Sequence, residues 1–565
     1  MRVILSAAGW LCHRVAVAKR RFGFYNTRMA AQSYLRSSRV ISVLTLVSRI
    51  TGLLRDSAIS AWLGYSWVQD RFVFAFTIPN LFRQLFGEGA LSAVFIPVLT
   101  DRLSREGRDR AAKLFGNVIS LLAALLIGLT VLVLLLLGGI WVAGERDAAL
   151  KLTLGLTALM APYMILICLV ALFSALLNCL DRFGLPAFVP VIMNLFLIAG
   201  VLTARYVLGP WLGDQQSQVY VLGVALLLAG VTQLATVAAA VRRAGVRWSF
   251  DFSLSDPDLR TMFKMLAPLL LGLGVLKLSE LIDNTIIVGL SPKTAEAFSV
   301  WGYEVAYPLY EGAMTAVNNA RRLYQFPLGV LAISLATAAF PTFSRAASAK
   351  DFDQLRGSVS HALRIAILEG IPSGLGLILL AELIVTVVFK YGNVGGQDVR
   401  ETAHVLRMYG LGLWAFCAQH IIVRAFYSVK DTKTPLKVMS ATLVLNLAMN
   451  LTLIWVHAIG AGAFGLSASV MCSLNVVLLC AIFSRRYGRL EIGQILRATG
   501  KVAVAAGLMG AAVYATYAYF DELNRYMRLA LCMGVAAGVF LPAAVVLKIE
   551  EFHDLVAVAR KKRGR

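Results

Sequence analysis

The chain has 565 residues, of which 59% are hydrophobic and only 15% are charged, and its formal net charge is +23. Apolar runs of membrane-spanning length recur from one end to the other, which excludes a soluble enzyme. A span needs roughly 20 apolar residues, and these runs show no strict alternation, so helices are predicted rather than strands. The composition therefore predicts an all-α polytopic membrane protein.

Fourteen apolar segments are candidates for transmembrane helices. They lie near 39–63, 69–99, 114–143, 150–179, 185–208, 217–241, 261–290, 320–345, 358–389, 402–427, 435–457, 461–484, 495–519 and 526–548. The second segment contains Pro79 and the run Gly87, Glu88 and Gly89, so we expect a kink whose backbone groups face protein or water. The kink either shapes packing or acts as a hinge.

Basic residues lie at alternate ends of these segments. Arginine and lysine cluster at 102–113, 242–247 and 485–489, for example, whereas connections such as GYSWVQ and HAIG carry few. The positive-inside rule then places both termini in the cytoplasm. The charge is expected to orient the protein and hold anionic lipids, not nucleic acid. Residues 1–38 form a basic extension, or translation begins at Met29; residues 549–565 form a basic cytoplasmic tail.

The sequence also resembles itself. RDSAISAWLG at 55–64 aligns with IDNTIIVGLS at 282–291, residues 85–104 align with 329–348, and Asp181 stands opposite Asp431. The growing offset indicates an extra segment near 292–320. We interpret two six-helix lobes, an N-lobe at 39–241 and a C-lobe at 261–484, related by a pseudo-two-fold axis along the membrane normal, with two further helices at 495–548. Parallel repeats are typical of transporters, whose site lies between the repeats.

Charged residues recur within the first two predicted spans of each lobe. A charge at mid-bilayer costs at least about 2.5 kcal/mol, so it faces a partner or a wet cavity. The charged residues are Arg49, Arg55, Asp56, Asp70, Arg83 and Glu88 in the N-lobe and Glu280, Asp283, Arg321 and Arg322 in the C-lobe. We expect Asp56 to form an ion pair, and a bend at Gly52 to bring Arg49 and Arg55 toward one cavity. The surplus of arginine predicts an anionic ligand, and guanidinium suits phosphate.

Three motifs resemble the MurJ (MviN) family of lipid II flippases, within the multidrug/oligosaccharidyl-lipid/polysaccharide exporter superfamily. They are SRITGLLRD at 48–56 continued by DRFVFAFTIPNLFRQLFGEGALSAVFIP at 70–97, NARRLYQFPLGVLAISLATAAFP at 319–341, and SVKDTKTPL at 428–436. The resemblance covers 39–550. It implies fourteen helices in the bacterial inner membrane, a central cationic cavity, and a groove for a polyprenyl tail beside the helices at 495–548.

The resemblance also implies site residues. The essential arginines of the family fall on Arg49, Arg55, Arg83 and Arg322, and its acidic positions fall on Asp70 and Glu88. Arg321 stands where relatives often have Asp and adds positive charge to the expected substrate site. Gln325 stands where some have Glu, and residues 301–319 are an insertion.

Sodium is a candidate cofactor, because some relatives bind it in the second lobe. The matching positions in this chain are Asp283, Asn446 and Asn450. No other cofactor is expected.

The sequence therefore predicts a flippase that moves lipid II, an undecaprenyl-pyrophosphate glycopeptide, to the outer leaflet by alternating access. Membrane lipids and other cell-wall synthesis proteins are its expected partners. The alternatives are an exporter of another lipid-linked glycan or of a cationic drug, a membrane enzyme acting on such a lipid, and a scaffold. Surplus arginine argues against cationic drugs, and the six histidines form no cluster with carboxylates, which argues against an enzyme.

Overall fold

The computed structural model describes residues 43–85, 90–143, 147–253, 256–292, 297–300, 303–330 and 332–554. Within these ranges the chain is almost entirely helical, apart from one short antiparallel hairpin of Ala297–Val300 (β1) and Tyr303–Ala306 (β2). The predicted extension at 1–38 and the residues Gly87, Glu88 and Gly89 lie outside the described residues. The prediction of an all-α fold is confirmed.

The predicted N-lobe, residues 39–241, contains ten helices among its described residues, and the last of them extends to Arg243. α1 covers 43–63. The others are α2 Trp67–Phe82, α3 Ala90–Glu106, α4 Arg108–Ala143, α5 Ala148–Met160, α6 Tyr163–Cys179, α7 Gly184–Leu202, α8 Gly209–Leu212, α9 Gln215–Gln218 and α10 Tyr220–Arg243. A π-helical turn, Thr203–Val207, follows α7. The hydroxyl of Ser66 accepts a hydrogen bond from Gln69 N and caps α2.

The C-lobe begins with the long helix α11, Pro257–Gly289, and the hairpin follows it. Its other helices are α12 Ala313–Val330, α13 Ala332–Ser348, α14 Phe352–Phe389, α15 Gly396–Leu411, α16 Leu413–Ser428, α17 Lys433–Leu453 and α18 Gly462–Tyr487. The terminal pair is α19 Ile492–Tyr519 and α20 Arg525–Val546. The expected insertion at 301–319 is therefore not one element. It contains β2, and its last seven residues form the start of α12.

Nine helices of the described ranges are long and apolar enough to cross a membrane. A bent pair, 313–329 with 334–348, meets the same test as one span with an angle of 47° between its halves. The predicted spans at 39–63, 69–99, 261–290 and 402–427 fall on α1, α2 with α3, α11, and α15 with α16, which carry charged residues or a break. The chain is an integral membrane protein, and the total of fourteen spans stays a prediction.

Each lobe repeats the same local irregularities. α3 follows α2 as α13 follows α12, and the second helix of each pair contains a proline, Pro97 or Pro341. A left-handed residue follows α6 at Asp181 and α16 at Lys430, where it ends the helix. The structure therefore pairs Asp181 with Lys430, so the sequence pairing with Asp431 is wrong by one residue.

The lobes meet at one end of the bundle, which we call the Gly64 end and define by residues 61–70, 311–315 and 392–394. Asn393 donates its backbone N–H to Ala61 O at 2.9 Å and its side-chain amide to Trp62 O at 2.7 Å. The ring of Tyr65 packs in the hydrophobic core of the C-lobe. Because each lobe supplies partners for the other, the Gly64 end is closed.

The opposite end, which we call the Arg102 end, holds a partly buried ion-pair cluster. The guanidinium of Arg102 at the end of α3 contacts Asp256 at 2.7 Å and Asp258 at 3.0 Å, where α11 begins. Asp256 also caps α11 by accepting from Asp258 N. The cluster therefore ties the N-lobe to the first turn of the C-lobe.

We expect Arg102→Ala to lower the melting temperature of the purified protein. The side chains of Arg102 and Asp256 are each only 12% exposed, and leaving a charged group without its partner costs about 1–3 kcal/mol. Arg105→Ala is the matched control, because Arg105 is 75% exposed and pairs only with Asp101 one turn away. Such exposed pairs contribute about 0–1 kcal/mol. Equal melting temperatures for the two variants would contradict a stabilising role for the cluster.

Candidate functional site: an arginine-lined cavity between the lobes

A polar cavity with two chambers lies where α1, α2 and α12 meet. The interlobe chamber, of about 590 Å³, is lined mainly by α1, α2, α11 and α12. The N-lobe chamber, of about 580 Å³, is lined by α1, α2, α6 and α7 with one edge of α12. Both chambers are lined by Arg49, Arg55, Asp56, Phe76, Asn80, Arg83, Arg322 and Gln325. The two chambers are therefore continuous.

Asp56 is the carboxylate at the centre of this lining. Its Oδ1 accepts from Nε of Arg55 at 2.9 Å and from Nη2 of Arg55 at 2.6 Å, and both side chains are buried. Its Oδ2 lies 3.4 Å from Nε of Arg322, which comes from α12. Asp56 thus bridges an arginine of the N-lobe and an arginine of the C-lobe, and the predicted ion pair is confirmed.

Asn194 of α7 orients Arg55 from the other side. Its Oδ1 accepts from Nη1 of Arg55 at 2.9 Å, and its Nδ2 donates to Thr51 Oγ1 at 3.1 Å. The guanidinium of Arg55 also lies 5.9 Å from the ring centroid of Phe76. The sequence argument missed Asn194, although a single amide within the apolar run at 185–208 is a signal of the same kind as a charge there.

Arg49 reaches across the lobes to α12. Its Nη1 donates to the backbone oxygen of Gln325 at 3.1 Å. The guanidinium lies so close to Gly329 that a Cβ at that position would collide with it. Gly329 is a further residue that the sequence argument missed, because a glycine in an apolar run gives no sign of what packs on it.

Arg83 follows the last residue of α2 and lines both chambers. Its Nε donates to Oδ1 of Asn80, three residues earlier, at 3.0 Å. Residues 83–85 have π-helical hydrogen bonding. The second predicted span therefore breaks after Phe82, and not at Pro79, where the helix continues.

The shared lining carries an excess of positive charge. Among the described residues that line both chambers there are four arginines and a single carboxylate, Asp56. In a partly buried site, charges interact more strongly than in water. The geometry therefore places four guanidinium groups around one space, which suits a ligand with phosphate groups.

Arg321 also borders the interlobe chamber, but its side chain reaches into the C-lobe. Its Nε donates to Tyr409 OH at 3.0 Å, its Nη1 to Asn284 Oδ1 at 2.9 Å, and its Nη2 lies 3.4 Å from Asp283 Oδ2. Arg321 is therefore held by contacts within the C-lobe, and its contact with substrate stays a prediction.

Asp70 lies outside the lining of both chambers, contrary to the sequence prediction. Its Oδ1 accepts from Thr315 N at 2.9 Å and from Thr315 Oγ1 at 2.7 Å, and its Oδ2 accepts from Met314 N at 3.4 Å. These backbone N–H groups lie in the first turn of α12, where they lack helical partners. Asp70 therefore holds α2 against α12 at the Gly64 end.

The predicted hinge residues have different positions. Helical hydrogen bonding continues through Gly52, and a Cβ there would lie 3.6 Å from Asn194 Nδ2, an ordinary contact. Pro79 is buried within α2. Glu88, Gly87 and Gly89 lie outside the described residues. The bend of 47° near Gly329 was not predicted.

The sodium candidates Asp283, Asn446 and Asn450 are close together in the C-lobe. Asn450 Nδ2 donates to Asp283 Oδ1 at 2.8 Å and to Asn446 Oδ1 at 3.2 Å. Asn450 Oδ1 in turn accepts from the hydroxyl of Ser467. These oxygens face N–H and O–H donors, so the set as arranged does not fit a metal ion. No group of three or more His, Cys, Asp or Glu able to hold a metal occurs among the described residues.

Two helical lobes with a cationic cavity between them define the class of the protein, an integral membrane transporter. The family model for lipid II flippase MurJ matches residues 59–534. The chain belongs to the lipid II flippase MurJ family. It is a transporter and not an enzyme, and the resemblance found in the motifs is confirmed.

Curated relatives agree with this assignment. The chain is 30% identical over 492 residues to a lipid II flippase MurJ from Burkholderia cenocepacia, with 84% of this chain and 89% of the relative covered. It is 27% identical over 534 residues to a probable lipid II flippase MurJ from Rickettsia prowazekii, with 92% and 99% covered.

Two solved structures share the fold. A lipid II flippase MurJ in an inward closed conformation matches with a TM-score of 0.70 and 21% identity, with 91% of this chain and 99% of that chain covered. An inward-facing multidrug resistance transporter of the MATE family matches with a TM-score of 0.61 and 12% identity, with 79% and 97% covered. At these identities the likeness concerns the fold alone.

Proposed function

We propose that the chain translocates lipid II across the inner membrane, from the cytoplasmic to the outer leaflet. The observation that supports this most directly is the meeting of Arg49, Arg55, Arg83 and Arg322 around one space. Membership of the flippase family supports the same cargo.

The chemistry of the cavity suits the transfer of a polar head group through the membrane. A head group with a pyrophosphate, sugars and a peptide cannot enter hydrocarbon, because its polar groups would lose water without replacement. One guanidinium group can donate two parallel hydrogen bonds to two oxygens of a phosphate. The side-chain amides of Asn80, Gln84 and Asn318 add neutral donors to the interlobe chamber. The polyprenyl tail stays in the lipid, with the predicted groove at α19 and α20 beside it.

The orientation follows from the placement of the basic residues. The positive-inside rule favours cytoplasmic termini, and then the Gly64 end faces outward. The structure has this end closed, which supports a state in which the cavity does not open to the outer side. Relative motion of the lobes about the cavity then opens the Gly64 end, as expected for a site between repeats.

The proposed function is tested with full-length protein in phospholipid vesicles that contain fluorescent lipid II. A membrane-impermeant enzyme that modifies the head group reports which leaflet the lipid occupies. We expect the protein to make lipid II of the inner leaflet accessible, whereas protein-free vesicles retain it. Vesicles with a polyprenyl-pyrophosphate of a different glycan form the second arm. Transport of that lipid alone would assign the chain to another cargo.

Gly329→Ala provides a test of the position of Arg49. A methyl group on Gly329 displaces the flexible guanidinium from the Gln325 carbonyl, so we expect lipid II translocation to fall at least about tenfold. Alanine favours a helix by about 1 kcal/mol over glycine, so the melting temperature should not fall. Gly376→Ala on α14 is the control, because a Cβ there meets nothing within 4 Å. Normal transport by Gly329→Ala would show that the position of Arg49 is not critical.

A further inference from the structure

Asp283 and Arg321 repeat in the C-lobe the pair formed by Asp56 and Arg322. In the internal alignment, Asp283 of IDNTIIVGLS stands opposite Asp56 of RDSAISAWLG. The distance from Arg321 Nη2 to Asp283 Oδ2 is 3.4 Å, and the distance from Arg322 Nε to Asp56 Oδ2 is also 3.4 Å. Each lobe therefore presents one carboxylate to one of two consecutive arginines of α12.

The two pairs differ in how firmly the arginine is held. The side chain of Arg321 is 13% exposed and has three partners, Asp283, Asn284 and Tyr409. The ring of Tyr409 is itself stacked on Tyr324 at 4.5 Å. The side chain of Arg322 is 35% exposed and faces the cavity. Arg321 is therefore fixed within the C-lobe, whereas Arg322 is open to a ligand.

The charges around Asp283 are already balanced. Lys277 Nζ lies 3.3 Å from Glu280 Oε2 one turn earlier on α11, and Arg321 offsets Asp283. A neighbouring chamber of about 290 Å³ contains polar side chains from Ser279, Gln419, Thr442, Asn446 and Asn475. No carboxylate occurs among its described lining residues. A cation that entered this chamber would therefore find amides and hydroxyls but no anion to offset its charge.

We propose that Arg321 replaces the sodium ion that the C-lobe of some relatives binds. A hard cation requires several oxygen atoms directed at it. In this chain one oxygen of Asp283 faces Arg321, and the other faces the amide of Asn450. The guanidinium supplies the positive charge from within the chain, so the C-lobe is complete without an external cation. A cation that is part of the chain cannot be exchanged, so we expect no exchange of sodium at this site during transport.

Thermal unfolding of the full-length protein in detergent tests the proposal without reference to transport. Melting temperatures are measured in NaCl, KCl and choline chloride at equal ionic strength. We expect the wild type to melt at the same temperature in all three salts. Arg321→Ala leaves Asp283 buried without a cation, so it should melt several degrees lower in KCl and choline chloride and recover part of that loss in NaCl.

Asp283→Asn combined with Arg321→Ala is the control, because it removes the charge that would attract sodium. We expect its melting temperature to be independent of the cation. A rise specific to NaCl in the wild type, absent in Asp283→Asn, would overturn the proposal. A variant Arg321→Ala that gains no response to sodium would overturn it as well. Arg321→Gln, which keeps a donor for Tyr409, takes the place of Arg321→Ala if the alanine variant does not fold.

The failure of this proposal is separate from failure of the proposed function. A sodium response in the wild type would leave lipid II transport intact and change only its energy source. If the vesicle assay shows no transport of lipid II and the wild type shows no sodium response, the proposed cargo is wrong and the proposal for Arg321 stands.

Discussion

Arg322→Ala is expected to abolish lipid II translocation while leaving the protein folded and present in the membrane at normal levels. Arg322 makes an ion pair with Asp56 at 3.4 Å, but its side chain is directed into the cavity. Asp56 keeps both hydrogen bonds from Arg55 after the change, so little stability is lost. Removing one partner of a buried charge pair weakens binding at least about 30-fold. The vesicle assay and a melting curve measure the two effects.

Two further variants separate binding from folding. Arg55→Ala removes the partner of both Asp56 and Asn194, so it should lose transport and also melt at a lower temperature. Arg345→Ala on α13 changes an arginine whose hydrogen bond is exposed, and both properties should stay normal. If Arg322→Ala transports lipid II at the wild-type rate, the assignment of the phosphate site to this cavity is wrong.

A disulfide across the Gly64 end is expected to stop transport completely. A Cβ built on Gly64 lies 3.5 Å from the Cβ of Asn393, within the separation of about 3.5–4.5 Å that a disulfide needs. Gly64 has φ of +70°, so a cysteine there costs roughly 1–2 kcal/mol, which the protein should tolerate. Oxidised Gly64→Cys/Asn393→Cys holds the lobes together at this end, and a reductant should restore transport.

The single variants Gly64→Cys and Asn393→Cys are the controls for this experiment. Each retains the cysteines of the native chain, so an effect of the oxidant on either one would reveal unrelated chemistry. We expect both to transport lipid II equally with and without oxidant. Transport by fully cross-linked protein would show that the Gly64 end does not open during the cycle.

Much of the site could be predicted because charges in apolar spans are so costly. That cost predicts a shared cavity for Arg49, Arg55, Arg83 and Arg322, and the structure lines both chambers with all four. The sequence does not show which residue contacts each charged side chain. Neighbouring residues on a helix point about 100° apart, so Arg321 and Arg322 face different lobes, and periodicity alone cannot tell which of them faces the ligand.

The position of Asp70 shows a different limit. The predicted eighth span begins at residue 320, after the predicted insertion at 301–319, whereas α12 begins at Ala313. The N–H groups of Met314 and Thr315 that bind Asp70 therefore lie outside the predicted span, and the family resemblance instead implies a place for Asp70 at the substrate site. The short β-hairpin and the bend near Gly329 were also not predicted.

The two consecutive arginines of α12 have a consequence for the rate at which the empty protein changes state. Because one is bonded to each lobe, any relative displacement of the lobes must lengthen at least one of two ion pairs. Separating those charges in a poorly solvated interior raises the activation barrier. A bound pyrophosphate gives Arg322 an alternative anion and so lowers that barrier. The loaded protein should therefore reorient faster than the empty one.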